Sequence, residues 1–343
     1  MLKLNIFYDQ SYWLSGRKIF SDHFSQSSFF NFYYQYKYNR SQEINNNLIK
    51  SGPEKLVNKL ILFSSMHETI VLNESKYDNY YFCNFDSNNE NLVKRILKNK
   101  NNKIAVGPLY TFKDLVSLSE LTNEYNNLKI VTASKLALDS TYQMVEKYLT
   151  KEKLVILPVG IKRRLEIDDS TKLNRNSNAI IYFKRRSRDE LFNVKNLLES
   201  RNIKYKIFEY GKYKNSDLIN YSKKAKFGVV LDQTESQGIA INELICNNLP
   251  LFVLDYEENR YENFILKGSS VPLWSEKCGE KVNNFENIDI QFDQFFENVL
   301  NNYYQPYIFA REVLSFEVMY KNFEKIFKNI SSWFLLEILN SWI

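Results

Sequence analysis

The stretch that most restricts how this 343-residue chain can fold runs from 226 to 254. Lys-Phe-Gly-Val-Val-Leu at 226–231 reads as a short buried strand, and Leu-Phe-Val-Leu at 251–254 as another. Between them lie a turn containing Gly238 and a run, 239–246, with few polar positions, which predicts a helix. Strand, glycine turn, helix and strand make a βαβ unit. Ligands of such units bind beyond the carboxyl ends of the strands, where helix amino ends point. Gly238 stands where the helix begins. Unpaired N–H groups and partial positive charge at that point suit a phosphate.

Two acids flank this phosphate site, Glu235 in the turn and Glu243 in the helix. A carboxylate repels phosphate, so each must face something else. It accepts two hydrogen bonds readily from a vicinal diol. Glu243 is read as the acid on a ribose, and Glu235 as an acid facing a sugar's hydroxyls. Taken singly, each is a solvated helix-end charge. The predicted strand at 179–183 is followed by Lys184, Arg185, Arg186 and Arg188. Four cations in five positions at a ligand edge would neutralise a diphosphate, Arg forking two oxygens. A charged surface is the plainer alternative; of the four, Lys184, Arg186 and Arg188 are favoured. Tyr210-Gly211 follows the next strand, 204–209; Tyr210 or Tyr213 is read as stacking on a base, with an ordinary exposed turn tyrosine as the plainer alternative.

The spacing Glu235-x7-Glu243, with Gly238 three residues after the first acid and Pro250 seven after the second, resembles the donor-site motif of retaining GT-B glycosyltransferases, in particular the large glycosyl transferases group 1 (family-4-like). That family usually has Gly two residues before the Pro. Asn248 stands there in this chain, a residue that also tolerates the left-handed conformation ending a helix. The run from Ser134 to Leu157-Pro-Val-Gly160-Ile resembles the close of the family's first domain. The resemblance implies an α/β fold of GT-B architecture, two Rossmann-like domains facing a cleft. An acceptor-side domain would occupy 1–165 and a nucleotide-sugar-binding domain 166–315. A C-terminal helix at 316–343 would cross back onto the first domain. The implied activity is transfer of a hexose-type sugar from a nucleotide-diphosphate sugar to a glycan, lipid or protein acceptor, with retention and without a metal or other cofactor.

Under that resemblance Glu235, Lys184 and Arg186 are catalytic, while Arg188, Tyr210, Gly211, Gly238, Ile239 and Glu243 bind the donor. The family carries an Arg and a Lys about five residues apart after the equivalent strand, and no such pair occurs here. It often has a first-domain His at the reaction centre, for which His67 is the candidate by position. A nucleotide-sugar epimerase of the same fold and a non-catalytic sugar-nucleotide-binding protein are the alternatives.

Composition narrows the classes further. Hydrophobic residues at 44% and charged residues at 25% are those of a soluble globular protein, long enough for two cores. The net charge of +6 allows contact with anionic ligands or a membrane surface without arguing for nucleic acid. The aromatic run 20–40 has few basic residues besides Lys37 and Arg40, and reads as core sooner than as a base-stacking platform. Cys83, Cys246 and Cys278 form no Cys-x-x-Cys, which fits a reducing, cytoplasmic compartment. With only His23 and His67, a His/Cys metal site is not expected. Asp168-Asp169 reads as a solvated hinge loop, and Trp13 and Gly16 as a loop at a sheet's carboxyl edge. The segment 331–343 reads as helix packed across the domains or, alternatively, lying on a membrane. Alternating signals elsewhere predict strands at 2–8, 80–84, 104–108, 128–131 and 154–158. Helices are predicted at 90–97, 112–125, 135–144, 189–200, 217–224, 292–301 and within 306–327, and small sheet elements at 268–274 and 277–279.

Overall fold

The computed structural model describes residues 2–7, 70–72, 78–85, 87–109, 112–161, 175, 178–261 and 263–329. These divide into two compact units, one running to Val159 and taking in the chain from Met319 onward, the other Gly160–Val318.

The first unit is built on six parallel strands in the order β2-β1-β3-β4-β5-β6. They are β1 (Leu2–Phe7), β2 (Ile70–Leu72), β3 (Asn79–Asn84), β4 (Lys103–Leu109), β5 (Leu128–Thr132) and β6 (Leu154–Ile156). Helices α1 (Ser87–Leu97), α2 (Phe112–Glu124) and α3 (Lys135–Val145) connect the last four. Parallel neighbours need such crossovers, because a hairpin cannot return the chain to the same end. In α2 the spacing of Leu115, Leu118 and Leu121 puts all three in the core. Ser134 caps α3, accepting the Ala137 N–H at 3.1 Å. Strand β4 does not stop at the Gly107-Pro108 turn read from sequence. A register shift opposite Phe82 and Asn84 lets it run on and pair Leu109 with Asn84. Helix α9 (Phe316–Asn329) belongs to this unit from Met319, where Phe323 meets Tyr81 edge to face and the Phe327 carbonyl accepts from Lys103 Nζ at 3.0 Å.

The second unit has five parallel strands in the order β13-β10-β9-β7-β8. They are β7 (Ala179–Phe183), β8 (Tyr205–Glu209), β9 (Phe227–Leu231), β10 (Leu251–Leu254) and β13 (Gly279–Val282). Helices α4 (Arg188–Glu199), α5 (Asn215–Ser222) and α6 (Ile239–Cys246) make the crossovers, and α7 (Ile288–Leu300) and α8 (Pro306–Val313) complete the layers. Every residue of β7, β9 and β10 is buried, as expected of strands covered on both faces. One core lies between the sheet and α6 and α8, the other between the sheet and α4 and α7. Gly279 opens β13 with φ 139°, and a Cβ there would lie 1.9 Å from the Leu251 carbonyl oxygen, so the edge strand can approach β10 only with glycine at that position.

The sheet element expected at 268–274 is absent. An antiparallel hairpin, β11 (Glu258–Tyr261) and β12 (Phe264–Lys267), precedes it instead. The Asp255 carboxylate then accepts from the Ser269 hydroxyl at 2.9 Å and the Ser270 N–H at 2.6 Å. Those bonds draw the chain into a loop over the sheet edge and away from any ladder. At the other end of α6, Asn248 has φ 56°, the left-handed conformation that ends a helix. Its side-chain oxygen also accepts the Tyr307 N–H at the start of α8, at 3.1 Å, a bond glycine could not offer. No described helix is long and apolar enough to cross a membrane.

Arg175 ties two helix ends together. Its guanidinium donates to the carbonyls of Ser222, the last residue of α5, and Ala225 just beyond it, and of Asn247 and Asn248 after α6, at 2.6–3.3 Å. Burial pulls its pKa down to about 10, still charged at neutral pH, and four carbonyls at helix C-termini are suited to that charge. Arg175→Met should therefore destabilise the chain by about 2–4 kcal/mol, through several stranded acceptors. Denaturant unfolding checks this.

Candidate active site

The order of the second sheet marks its ligand edge. From β7 the chain moves outward to β8, then returns across β7 to β9 and onward to β10 and β13. The reversal lies between β7 and β9. In open α/β sheets a crevice forms beyond the strand ends at such a reversal. The Lys184 N–H donates to the Leu231 carbonyl at 2.8 Å, joining the two strand ends there. The side chains that follow are Lys184 after β7 and Asp232 after β9.

Lys184 Nζ pairs with Glu235 Oε1, lies 3.7 Å from Asp232 Oδ2 and stands 4.7 Å from the centre of the Tyr210 ring. Lys184 is 7% exposed and Asp232 1%, so a cation and two acids share a nearly dry space. Burial, and then the Glu235 charge, push the Asp232 carboxyl up to about 8, with Lys184 opposing. At neutral pH Asp232 is therefore held in its protonated form beside the Lys184–Glu235 pair. Burial also raises the phenols of Tyr182 on β7 and Tyr213 beyond β8, which keeps both neutral donors.

The loops bearing these groups are fixed from beneath. Asp255, after β10, accepts from Ser269, Ser270, Tyr256 N–H and Lys281 Nζ. Ser270 Oγ donates to the Asp232 carbonyl at 2.8 Å, and the Glu235 N–H donates to the Ser269 carbonyl at 2.9 Å. Gly238 takes up φ 70° and ψ 56° at the N-cap of α6, a left-handed turn that favours glycine. The first N–H groups of α6, beginning at Ile239, open at this point. Glu243, further along α6 and partly buried, accepts from Asn215 Nδ2 of α5 at 3.4 Å. Tyr210 follows β8, its N–H donating to the Phe183 carbonyl at 2.9 Å, and Gly211 beside it is exposed with φ 81°.

Lys184, Glu235, Tyr210, Gly211, Gly238 and Ile239 thus follow adjacent strand ends, with Glu243 further along α6. The remaining cations divide differently from the sequence reading. Arg186 is turned into the scaffold: Nε and Nη2 fork Glu190, while Nη1 donates to the carbonyls of Asp232 at 3.1 Å and Leu254 at 2.9 Å. Its donors hold the ends of β9 and β10, and its plane lies 5.3 Å from the Tyr256 ring. Arg188 pairs with Glu209 at 2.6 Å on the β8 side, with its side chain 63% exposed. Arg185, left out of the favoured set, is exposed and has φ 56°. Among the described residues no hydrogen bond or ion pair holds its guanidinium. Nothing in the run Lys-Arg-Arg-Ser-Arg distinguishes these three arginines; backbone direction and the position of Glu190 do.

Two further acids emerge only from the fold. Neither Asp232 nor Asp255 is singled out by the sequence. Each follows the last residue of a buried strand, and that placement is the available signal. Trp13, Gly16, His67, Asp168, Asp169 and the segments 20–40 and 331–343 lie outside the described residues. Among the described residues no group of three or more His, Cys, Asp or Glu side chains could hold a metal ion.

No protein-family model matches the sequence, and no curated protein matches it either. Solved structures with similar backbones include S. aureus TarM, at 13% identity and TM-score 0.45, covering 73% of this chain and 55% of that one. A GtfA/B complex matches at 12% and 0.48, covering 81% and 60%. The lipopolysaccharide outer core galactosyltransferase WaaB matches at 11% and 0.47, covering 83% and 82%. The chain spans a little over half the length of TarM.

The raised Asp232 pKa has a stability consequence. The folded chain keeps a proton that the unfolded chain loses near the ordinary value of 3.8. This contribution is full below that value and is lost as pH rises through about 8. Asp232→Asn removes the ionisation while keeping an acceptor for the Gln233 N–H. Between about pH 5 and pH 9 the melting temperature should fall more in the wild type than in this variant, each pKa unit counting for about 1.4 kcal/mol.

Proposed function

We propose that this chain is a glycosyltransferase of GT-B architecture that moves a sugar from a nucleotide-diphosphate sugar to an acceptor hydroxyl. The observation that carries the reading is the Lys184–Glu235 pair at the strand reversal, beside the open N-terminus of α6. Breaking a sugar–phosphate bond needs stabilisation of charge on the departing diphosphate and a firm hold on the sugar. Lys184, exposed Arg185 and the N–H groups at Gly238 and Ile239 supply the first. Glu235, released from Lys184, supplies the second by accepting from sugar hydroxyls. Glu243 takes the ribose diol, and Tyr210 and Gly211 border the base.

Arg186 acts as a positioning residue in this scheme, since its donors are engaged with Glu190 and two strand-end carbonyls. Arg188 borders the donor from the β8 side. Retention of anomeric configuration is what the motif resemblance implies, and in this scheme fixed cations and helix N–H groups do the electrostatic work on the leaving group. The acceptor is a glycan, lipid or protein, and the enzyme works in the cytoplasm or peripherally at a membrane surface.

A donor-hydrolysis assay with UDP-, GDP- and ADP-sugars tests this. Release of the sugar with retained configuration is the expected result. Formation of an epimer, or binding without turnover, would overturn it. Within the same assay Lys184→Ala and Arg185→Ala should each slow turnover by about 10²-fold, the usual cost of losing one charge-stabilising donor. Glu243→Ala should weaken nucleotide binding, while Glu235→Ala should lower turnover more than nucleotide affinity. Wild-type kinetics in both glutamate variants would place the site elsewhere.

A further inference from the structure

Buried carboxylate oxygens nearly always have a hydrogen-bond partner. Asp232 Oδ2 is buried and has none. Its other oxygen accepts the Gln233 N–H at 2.8 Å. Lys184 Nζ lies 3.7 Å from Oδ2, just beyond hydrogen-bond reach, and is paired with Glu235. The side chain of Asp232 is 1% exposed and that of Glu235 15%, so Glu235 is the outer acid of the two. An inner acid with an open acceptor thus stands behind a cation held by an outer acid.

We propose that Asp232 is a positioning residue: when sugar hydroxyls take up Glu235, Lys184 exchanges Glu235 for Asp232 as its counter-ion. The inference rests on the nucleotide-sugar reading above. A movement of about 1 Å brings Nζ to a charge-assisted hydrogen bond with Oδ2. Without Asp232, release of Glu235 would leave a nearly buried ammonium with no counter-ion from the protein itself, and its position would then depend on the ligand alone. The exchange therefore lets Glu235 leave without stranding Lys184, and it keeps the ammonium at the strand end where the diphosphate departs.

The exchange moves a proton. In the free chain burial and the Glu235 charge hold Asp232 protonated at neutral pH. The groups facing it are Lys184 and Arg185 after β7, Glu235 on its own loop, and the hydroxyls of Tyr182 and Tyr213. Once Glu235 turns to the sugar and the ammonium closes on Oδ2, both changes favour the carboxylate. The Asp232 O–H bond breaks, its proton passes to solvent, and the ligand itself loses none.

Calorimetric titration of the full chain near pH 7, in two buffers of different ionisation enthalpy, counts that proton. The ligands are the tightest-binding member of a UDP-, GDP- and ADP-sugar panel and the methyl ester of the same nucleoside diphosphate, which lacks the sugar and, like the sugar nucleotide, has no phosphate ionisation near pH 7. The sugar nucleotide should release about one proton more than the methyl ester. Asp232→Asn should abolish the difference, its fold checked by thermal melting. Glu235→Gln carries the same expectation, since Lys184 would already rest on Asp232 before ligand arrives. Equal proton counts for the two ligands in the wild type, or a difference that persists in both variants, would overturn the exchange alone. Failure of every panel member to bind the wild type would overturn the nucleotide-sugar reading and the exchange with it.

Discussion

A single lysine held at the reversal of a parallel sheet, paired with Glu235 and close to Asp232, is the interaction around which the second unit's polar groups are arranged. Lys184 is nearly buried, and a buried cation persists only with compensating charge. Glu235 provides it from the loop after the neighbouring strand, with the Asp232 carboxyl 3.7 Å away. The parallel arrangement brings them together. With all strands pointing one way, every residue that follows a strand end arrives at the same edge. Lys184, Tyr210, Asp232 and Asp255 each follow one of β7 to β10.

Around that centre the polar groups fall into two sets according to where their donors and acceptors go. Asp255 accepts from two serines, a backbone N–H and Lys281, and Arg186 donates to Glu190 and two carbonyls. Arg175 performs the same task beneath the helix ends. These groups are satisfied and rigid, as buried polar networks must be. Arg185, Asp232 Oδ2 and the opening turn of α6 are not used up in this way. A charge count of the segment 184–188 treats its four cations as equivalent. A donor count does not.

Much of the second unit was legible because its strands are apolar throughout. Residues buried on both faces leave no alternation to confuse, and 179–183, 239–246 and 251–254 match the observed elements at both ends. Asn248 was legible too, because few residues tolerate a left-handed helix end. Its second bond, to the Tyr307 N–H, was not, since that partner lies 59 residues away. The misread segments share one cause. At 268–274 local apolar character suggested sheet, but the Asp255 carboxylate claims the backbone there. At Gly107-Pro108 local turn chemistry suggested a stop, but pairing with Asn84 carries the strand through. In each case a distant partner outweighed a local preference.

By itself the sequence determined the alternation of strands and helices, the glycine turn before α6 and the acids at 235 and 243, because each depends on neighbours within a turn or two of chain. Only the tertiary structure decided which cation is buried against which acid, that Arg186 braces strand ends while Arg185 stays exposed, and that Asp232 stands behind Lys184. Those assignments depend on desolvation and on distances of a few ångströms between segments some fifty residues apart. Burial sets the strength of each charge interaction, and burial is a property of the folded chain that no local run of residues contains.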